Sequence, residues 1–577
     1  MPDQPAQPPE ETPADPTPSK PSDAPLVVHR TGGPPVDPAV ANAEAPGGNG
    51  DGDGNGDGNG DGHETVPLDE HGQPAVELDR LAAPIGGEQP PRLPFVVVGV
   101  GASAGGLEAF TEMLLATPPD TGMAFVLIVH LPPERHSLMA EILAKRTRMP
   151  VREVEDGMAV EPNHVYVIRP GRTLLMRDGR LRLTEPLEKR GHTRPVDDFF
   201  RSLAADQRER AAAVVLSGMG SNGSAGAQAI KAVGGVCVAQ EPESALYPSM
   251  PRSLIDQGHA DYVLRPRDVP AALIQFAGHP YARADAADAA AQLLRDQQDF
   301  ADVLALLRTR TRQDFSGYKR PTLYRRIQRR MGLNQMTRLG EYVRLMRNNA
   351  AEVQALADDL LIHVTGFFRD PGAWESLRER VIVPLVAGRE VEQSIRCWVT
   401  ACSSGEEAYS LAILISEVMH QFDKHLDVKI FATDMAERSL GHARTGAFPL
   451  GIEGEVTPDR LDRYFDRDDT RYRVKKEVRE MVVFAPQNVL QDPPFSRLDV
   501  ATCRNLLIYL EPEMQRRVLG LIHFGLRDGG TLLLGTSETV GGVEDLFEPV
   551  DKKWRIYRRT GPTRHGAINF PLPRVLS

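Results

Sequence analysis

Short, unbroken apolar runs that end in a small-residue turn and pass into an amphipathic helix recur along this chain. They restrict its fold more than any other feature. FVVVGVG (95–101) leads through ASAGG into LEAFTEMLLAT, AFVLIVH (124–130) precedes a Pro-Pro turn and SLMAEILAKRT, and AAAVVLSGMG (211–220) runs into SNGSAGAQAIKAV. A strand apolar on every residue must be covered on both faces, and strands that alternate with helices are joined by crossovers. The pattern therefore predicts an α/β unit with a doubly wound, mainly parallel sheet over 94–275. It resumes at Ile395 with IRCWVTAC, VKIFATD, DVATCRNLLIY and TLLLGTSE, with helices between them, and predicts a second such unit over 386–562.

Between the two lie an Ala-rich helical connector (276–296) and a stretch (297–385) that reads as a small all-α domain of amphipathic helices. Residues 1–93 are different: rich in Pro, Gly, Asp and Ala, they offer too little apolar surface to offset ordering entropy, and they read as a disordered tail. The tail holds 17 acidic and 4 basic residues, leaving 62 acidic against 63 basic in the remainder. The net charge of −12 thus belongs to the tail, and a near-neutral folded part argues against nucleic-acid binding through global charge. Inside the tail Asp53, Asn55, Asp57, Asp61 and Glu64 meet the spacing of a calcium loop. Flanking PGG and TVP leave no room for the paired helices such a loop needs, so a flexible acidic linker is expected and no residue is assigned to a metal. Residues 563–577 read as a C-terminal tail. No run of 18 apolar residues appears, the N-terminus lacks the features of a secretory signal, and Cys237, Cys397, Cys402 and Cys503 form no CxxC pair. A cytoplasmic protein with reduced thiols and no membrane insertion is expected.

Gly101-Ala-Ser103-Ala-Gly105 fits the G-x-S-x-G elbow, which lifts a serine hydroxyl clear of a strand-to-helix turn. The same residues also resemble a relaxed dinucleotide fingerprint, Gly99-x-Gly101-x-x-Ala104, but that reading wants an acid at the end of the second strand, where this chain has His130. Serine and histidine at neighbouring strand ends suit a nucleophile and its general base. Asn222, in the loop after the third strand, is the candidate to orient the imidazole, although Asn-Gly is also simply a turn dipeptide.

GASAGG, VHLPP and SGMGSNGSAG, with AQEPESALYPSMP downstream, resemble the catalytic domain of the CheB-type chemotaxis protein-glutamate methylesterases over about 94–270. The resemblance implies Ser103 as nucleophile on a glutamyl methyl ester, His130 as base, and the Met219 backbone N–H in the oxyanion hole. The family's triad aspartate falls on position 222, where this chain has Asn. A neutral amide accepts an imidazole N–H but stabilises no imidazolium by charge, an exchange that costs roughly 10⁴ in rate in serine proteases.

In the second unit, ACSSGEEAYS opens a helix after its first strand and Asp434 ends the next strand. Two glutamates at that helix start suit a cationic ligand better than a phosphate, and Asp434 can accept from ribose hydroxyls, so S-adenosyl-L-methionine is favoured over a dinucleotide. HVTGFFRD (363–370), ACSSGEEAYS, FATDMAERSL, APQNVLQD, CRNLLIY and GGTLLLGTSE together resemble the CheR-type chemotaxis receptor methyltransferases over about 297–560. The resemblance implies a cofactor site of Thr365, Arg369, Glu407, Asp434, Asn488, Val489, Arg504 and Asn505, with Tyr509 beside the reacting centre. Read without it, Arg369 could be a surface charge and Tyr509 core packing. Phe367 and Phe368 read as core, and Glu406 as a helix-start charge.

The helix in YKRPTLYRRIQRRMG (318–332) aligns Arg325, Arg326, Arg329 and Arg330. A basic helix is often only a solvated face; the resemblance implies contact with an acidic receptor coiled coil. The insert 447–485 is similar to the family's small β-subdomain, without its Gly-rich peptide-gripping loop. The reading is a bifunctional chemotaxis-type protein that methylates receptor glutamates and hydrolyses their methyl esters. Its partners would be cytoplasmic domains of methyl-accepting chemoreceptors or related signalling proteins. The alternative is a methyltransferase with a catalytically weak, regulatory esterase-like domain. A small-molecule carboxyl methyltransferase fused to an unrelated hydrolase is a third reading.

Overall fold

The computed structural model describes residues 92–129, 138–185, 194–283, 286–361, 365–390, 392–468 and 471–562. The calcium-loop spacing, nearly all of the N-terminal tail, His130 and the tail 563–577 lie outside the described residues. Arg92 and Leu93, expected in the tail, are part of the fold: Arg92 pairs with Glu209, and the Leu93 N–H donates to Gln207.

The first sheet has strands β1 (Val97–Ala102), β2 (Ala124–Val129), β3 (Val151–Glu153), β4 (Val165–Val167), β5 (Ala211–Val215), β6 (Val236–Gln240) and β7 (Tyr262–Leu264). Their order is β7-β6-β5-β1-β2-β4-β3, and every pair is parallel. All residues of β1, β2 and β5 are buried, as their continuous apolar sequences require. The sequence reading identified only these three central strands. β3, β4 and β7 are three residues long, too short to carry a period. The reading also missed a three-stranded antiparallel sheet from Met158–Ala159, Thr173–Arg177 and Arg180–Thr184. Helix α1 (Pro195–Gln207) buries Val196, Phe199, Phe200 and Leu203 against one face of the sheet, and α2 (Ser224–Ala232) follows β5.

The second sheet comprises β8 (Ile395–Thr400), β9 (Val428–Asp434), β10 (Val482–Pro486), β11 (Leu498–Cys503), β12 (Leu526–Leu534), β13 (Phe547–Asp551) and β14 (Ile556–Arg559). The order is β10-β9-β8-β11-β12-β14-β13, parallel except for the terminal hairpin. A small antiparallel sheet (Ala447–Pro449, Arg471–Val474, Phe465–Arg467) forms the insert. The all-α region contains Gln297–Thr311, α3 (Arg320–Leu333), Leu339–Asn348 and α4 (Ala350–Leu360). All four cysteines are free and buried, and no helix among the described residues is long and apolar enough to cross a membrane.

Both sheets share one topological property. Each chain segment builds outward from its first strand in one direction, then returns to that strand's other side. The reversal opens a crevice between the carboxyl ends of β1 and β5 in the first sheet, and of β8 and β11 in the second, where α/β folds place ligands.

The basic helix α3 is used otherwise than its sequence suggests. Arg326 donates to the carbonyls of Lys231 (2.8 Å) and Ala232, at the end of α2, where a cation meets the negative end of the helix dipole. Arg329 is fully buried: Nη1 reaches both Asp359 oxygens at 2.8 and 2.7 Å, Nε and Nη2 donate to the Gly235 carbonyl, and Nη2 also pairs with Asp261. Arg325 pairs with Glu209 at 2.7 Å, and Arg330 with Glu352. Arg325, Arg326 and Arg329 hold the first α/β unit and the helical domain together, while Arg330 ties α3 to α4; all four guanidinium groups are thus engaged within the chain, not free on a face turned toward a receptor. The physical reason is local: buried acids and helix-end carbonyls of the first unit lie within reach.

Removing the Arg329 charge would strand buried Asp359 and leave Asp261 with only Lys231 and the Cys237 N–H, so Arg329→Met is expected to destabilise the chain by about 3–5 kcal/mol. Arg325→Ala should cost less than about 1 kcal/mol, since Arg92 also pairs with Glu209. Denaturant titration of the full chain checks both. Burial would raise the Asp359 carboxyl, but Arg329 and neighbouring cations outweigh it and hold it at about 2. Its stabilisation is therefore complete above the unfolded carboxylate range and is lost as pH falls toward about 2.

Candidate functional sites

At the first crevice the chain leaves β1, turns at Ser103 and enters the helix Gly106–Leu115. The Ser103 N–H donates to the Ser217 carbonyl (3.0 Å), and its own carbonyl accepts from Gly106 (2.9 Å). Gly105 has φ 72°, and a Cβ there would lie 2.7 Å from Ser217 Oγ, so only glycine fits the turn. The loop after β5 runs alongside: a Cβ on Gly218 would approach Ser103 Cβ to 3.0 Å. Met219 follows with an exposed side chain, and its N–H takes no acceptor among the described residues. Ser103 and Met219 are thus brought together, with a free donor beside the hydroxyl-bearing residue.

Asn222 has a structural task. Its Oδ1 accepts the Asp197 N–H at 3.0 Å in the first turn of α1, and Asp197 Oδ1 in return accepts from Gly223 (2.9 Å) and Gly226 (2.7 Å). This reciprocal cap fixes the loop to α1. The amide oxygen that would orient a histidine is held in place by this bond and keeps one lone pair.

The second crevice is a cleft of about 900 Å³, open mouth included, at the carboxyl ends of β8 and β11. Thr365, Arg369, Glu407, Asp434, Val489, Arg504, Asn505 and Tyr509 all line it. Asn488 does not. It folds its Oδ1 back onto the Leu490 N–H (3.0 Å) in a tight turn, and the preceding Gln487 lines the cleft instead. Sequence reasoning also missed Tyr318 and Leu361, which the helical domain contributes. Gln487 could have been found in the same APQN motif; Tyr318 carried no signal, because only the docking of the helical domain brings it there.

Asp434 accepts the Ser403 and Ala436 N–H groups, both at 2.8 Å, one on each carboxylate oxygen, which leaves a lone pair on each. Glu407 accepts from Thr502 Oγ1 and lies 3.5 Å from Arg504 Nη1. Arg504, almost wholly buried, also donates to the Arg369 carbonyl (3.0 Å) and pairs with Asp370. Glu538 accepts from the N–H groups of Asn505 (2.9 Å), Gly535 (2.8 Å) and Leu507 (2.7 Å), and burial raises its carboxyl. Around the cleft Phe368, Asp370, Ala401, Ser403 and Asn505 hold positive φ between 49° and 60°. Left-handed backbone costs non-glycine residues about 1–3 kcal/mol each and persists only where the surroundings enforce it.

These residues fit S-adenosyl-L-methionine. Asp434 has acceptor capacity for ribose hydroxyls, and Glu407 and Asp434 give the anionic surroundings a sulfonium requires. Gln487 Oε1 and Asn505 Nδ2, on two residues that line the cleft, are buried without a hydrogen-bond partner among the described residues.

The fold and the two crevices define a methyl-donor-dependent transferase preceded by a serine-elbow domain. Residues 98–273 match the family model of the CheB methylesterase, 298–361 the all-alpha domain of CheR methyltransferase, and 363–556 its SAM binding domain. Chemotaxis protein methyltransferase 1 of Pseudomonas aeruginosa is 32% identical over 234 residues, 39% of this chain and 83% of that protein. An uncharacterised 104.1 kDa protein in the hypE 3' region of Rhodobacter capsulatus is 38% identical over 450 residues, 74% of this chain. The chain spans 46% of that relative's length. The catalytic domain of Thermotoga maritima CheB methylesterase is similar at 32% identity, covering 31% of this chain and 98% of that structure, with a TM-score of 0.30. The chain belongs to the chemotaxis protein methyltransferase (CheR) family and carries a CheB methylesterase domain ahead of it. Its cofactor is S-adenosyl-L-methionine.

Asn505→Ala removes an unpaired amide from the lining of the cleft and should weaken S-adenosyl-L-homocysteine binding by about tenfold, read by calorimetry. Glu406, beside the cleft, is pushed up to about 7 by burial, against the hydrogen bond from Ser404 Oγ. The folded chain then holds a proton there that the unfolded chain has lost above its ordinary 4.5, so this group's contribution to stability falls as pH rises through that window. Glu406→Gln should accordingly raise the melting temperature more at about pH 8 than at about pH 5.

Proposed function

We propose that the chain methylates acidic side chains, glutamates above all, of chemoreceptor-type signalling proteins, and that its first domain acts on the resulting methyl esters. The cytoplasm is the compartment in which such proteins meet the cofactor. One observation carries this reading: a single chain places a methyl-donor cleft and a serine elbow at the switch points of two sheets, in domains of two chemotaxis families with opposed chemistry.

When bound, S-adenosyl-L-methionine supplies an electrophilic methyl group. A carboxylate acceptor is already ionised, so the protein needs no general base; positioning in a water-poor site is its main contribution. Asp434 and Glu407 orient and neutralise the cationic ligand. Arg504 fixes Glu407 and the 365–370 loop, and Glu538 holds the backbone that presents Asn505. Tyr509 lines the same cleft, its hydroxyl pushed up by burial and so protonated at neutral pH, available as a donor to an acceptor carboxylate.

A second reading concerns the esterase-like domain. Asn222 is neutral and engaged as the cap of α1, which favours weak turnover or a regulatory role. Following labelled methyl groups onto a receptor signalling fragment, and then as methanol, separates the two. Ser103-dependent methanol release by the wild-type chain is the expected result for a working esterase. Label retained by wild type but released by Asn222→Asp would establish the regulatory reading, with a gain of up to roughly 10⁴ in hydrolysis. Free carboxylic acids accepting the methyl group in preference to receptor fragments would overturn the receptor assignment.

A further inference from the structure

The loop that forms one wall of the methyl-donor cleft is tied to a transferase carboxylate that the CheB methylesterase domain contacts. Residues 365–370 are strained: Phe368 has φ 49° and Asp370 φ 60°. Such a loop keeps its shape only if its backbone groups are tied on several sides. Besides the Trp374 Nε1 bond to the Arg369 carbonyl (2.9 Å), three ties come from more distant segments. Ser410 Oγ accepts the Phe368 N–H at 2.9 Å. Arg504 donates to the Arg369 carbonyl at 3.0 Å. Glu455 Oε2 accepts the Phe367 N–H at 2.9 Å, and a Cβ on Gly366 would lie 3.1 Å from the same oxygen. Gly366 itself lines the cleft, with Thr365 and Arg369 on either side of this segment.

The third tie depends on the other domain. Arg201 Nη2, on α1 of the CheB methylesterase domain, stands 3.5 Å from Glu455 Oε1. Arg194, at the start of the same helix, would approach a Cβ on Gly451 to 2.8 Å, in the turn that leads to Glu455. Arg201 lies one helical turn after Asp197, the residue that grips Gly223 and Gly226 in the esterase-like site. One helix thus touches the Asn222 loop with one turn and the transferase's Glu455 with the next. Burial raises the Glu455 carboxyl and Arg201 opposes that shift, favouring the ionised form, which makes a stronger hydrogen bond to a backbone N–H than a neutral acid does.

We propose that Glu455 is a positioning residue for the methyl-donor cleft, and that Arg201 of the CheB methylesterase domain completes it. The esterase-like domain then has a role in the transferase that does not require its own turnover. The inference rests on the cleft being the S-adenosyl-L-methionine site and adds what supports its wall from outside.

The test uses the full chain and S-adenosyl-L-homocysteine in titration calorimetry, with hydrogen exchange at residues 365–370 of the unliganded protein as a readout independent of ligand. Arg201→Ala is expected to weaken binding by about fivefold and to speed exchange at the Phe367 amide, with Arg201→Lys recovering most of the affinity. Glu455→Gln, which keeps an acceptor, should lose less than Glu455→Ala. Kinetically, Arg201→Ala should raise KM for the methyl donor more than it lowers kcat. Wild-type binding together with unchanged affinity and exchange in Arg201→Ala and Glu455→Ala would overturn the inference alone. Failure of the wild-type chain to bind S-adenosyl-L-homocysteine would remove the cofactor assignment of the cleft and the inference with it.

Discussion

The two halves of this chain meet over a buried charge. Arg329 lies out of water between Asp261 and Gly235 of the CheB methylesterase domain and Asp359 of the helical domain. A guanidinium in that position is tolerable only when its donors are matched to acceptors from both sides at once. Docking of the domains and satisfaction of these groups are therefore one event. Arg326 on the end of α2 and Arg325 on Glu209 extend the same seam. A helix that reads as a basic surface becomes the joint of the molecule.

From that joint follows the placement of both crevices. The helical domain that carries Arg329 also carries Tyr318 and Leu361 into the methyl-donor cleft, while the first domain offers Arg201 to the Glu455 carboxylate that holds the wall of the same cleft. The two switch points obey the same backbone logic, a strand end, a tight turn and a helix start, yet they present different chemistry. In the first, a hydroxyl-bearing residue stands beside an open N–H. In the second, carboxylates and residues with unpaired amide groups line an open cleft.

Much of this was legible in the residues. Continuous apolar strands required buried parallel sheets, and they carried enough signal for β1, β2, β5, β8, β9, β11 and β12 to be found. Three-residue strands such as β3, β4 and β7 have no period to read, because pairing within an existing sheet, rather than their own sequence, makes them strands. The resemblance to the CheR-type methyltransferases implied nine site residues, of which eight line the cleft, and missed the register by one at Gln487 and Asn488. The backbone turn, which folds Asn488 onto Leu490, decides which amide faces the cleft.

The sequence by itself determined the fold class, the order of the domains, the serine elbow and the cofactor, because each depends on contacts close along the chain or on motifs with a local shape. Only the tertiary structure decided what the charged residues do. Whether an arginine meets water, a partner or a buried aspartate depends on surfaces that come together from distant segments. Desolvation makes such contacts all-or-none. That is why Arg325, Arg326 and Arg329 belong to the interior seam, Arg330 to the packing of α3 on α4, and Asn222 to the cap of α1.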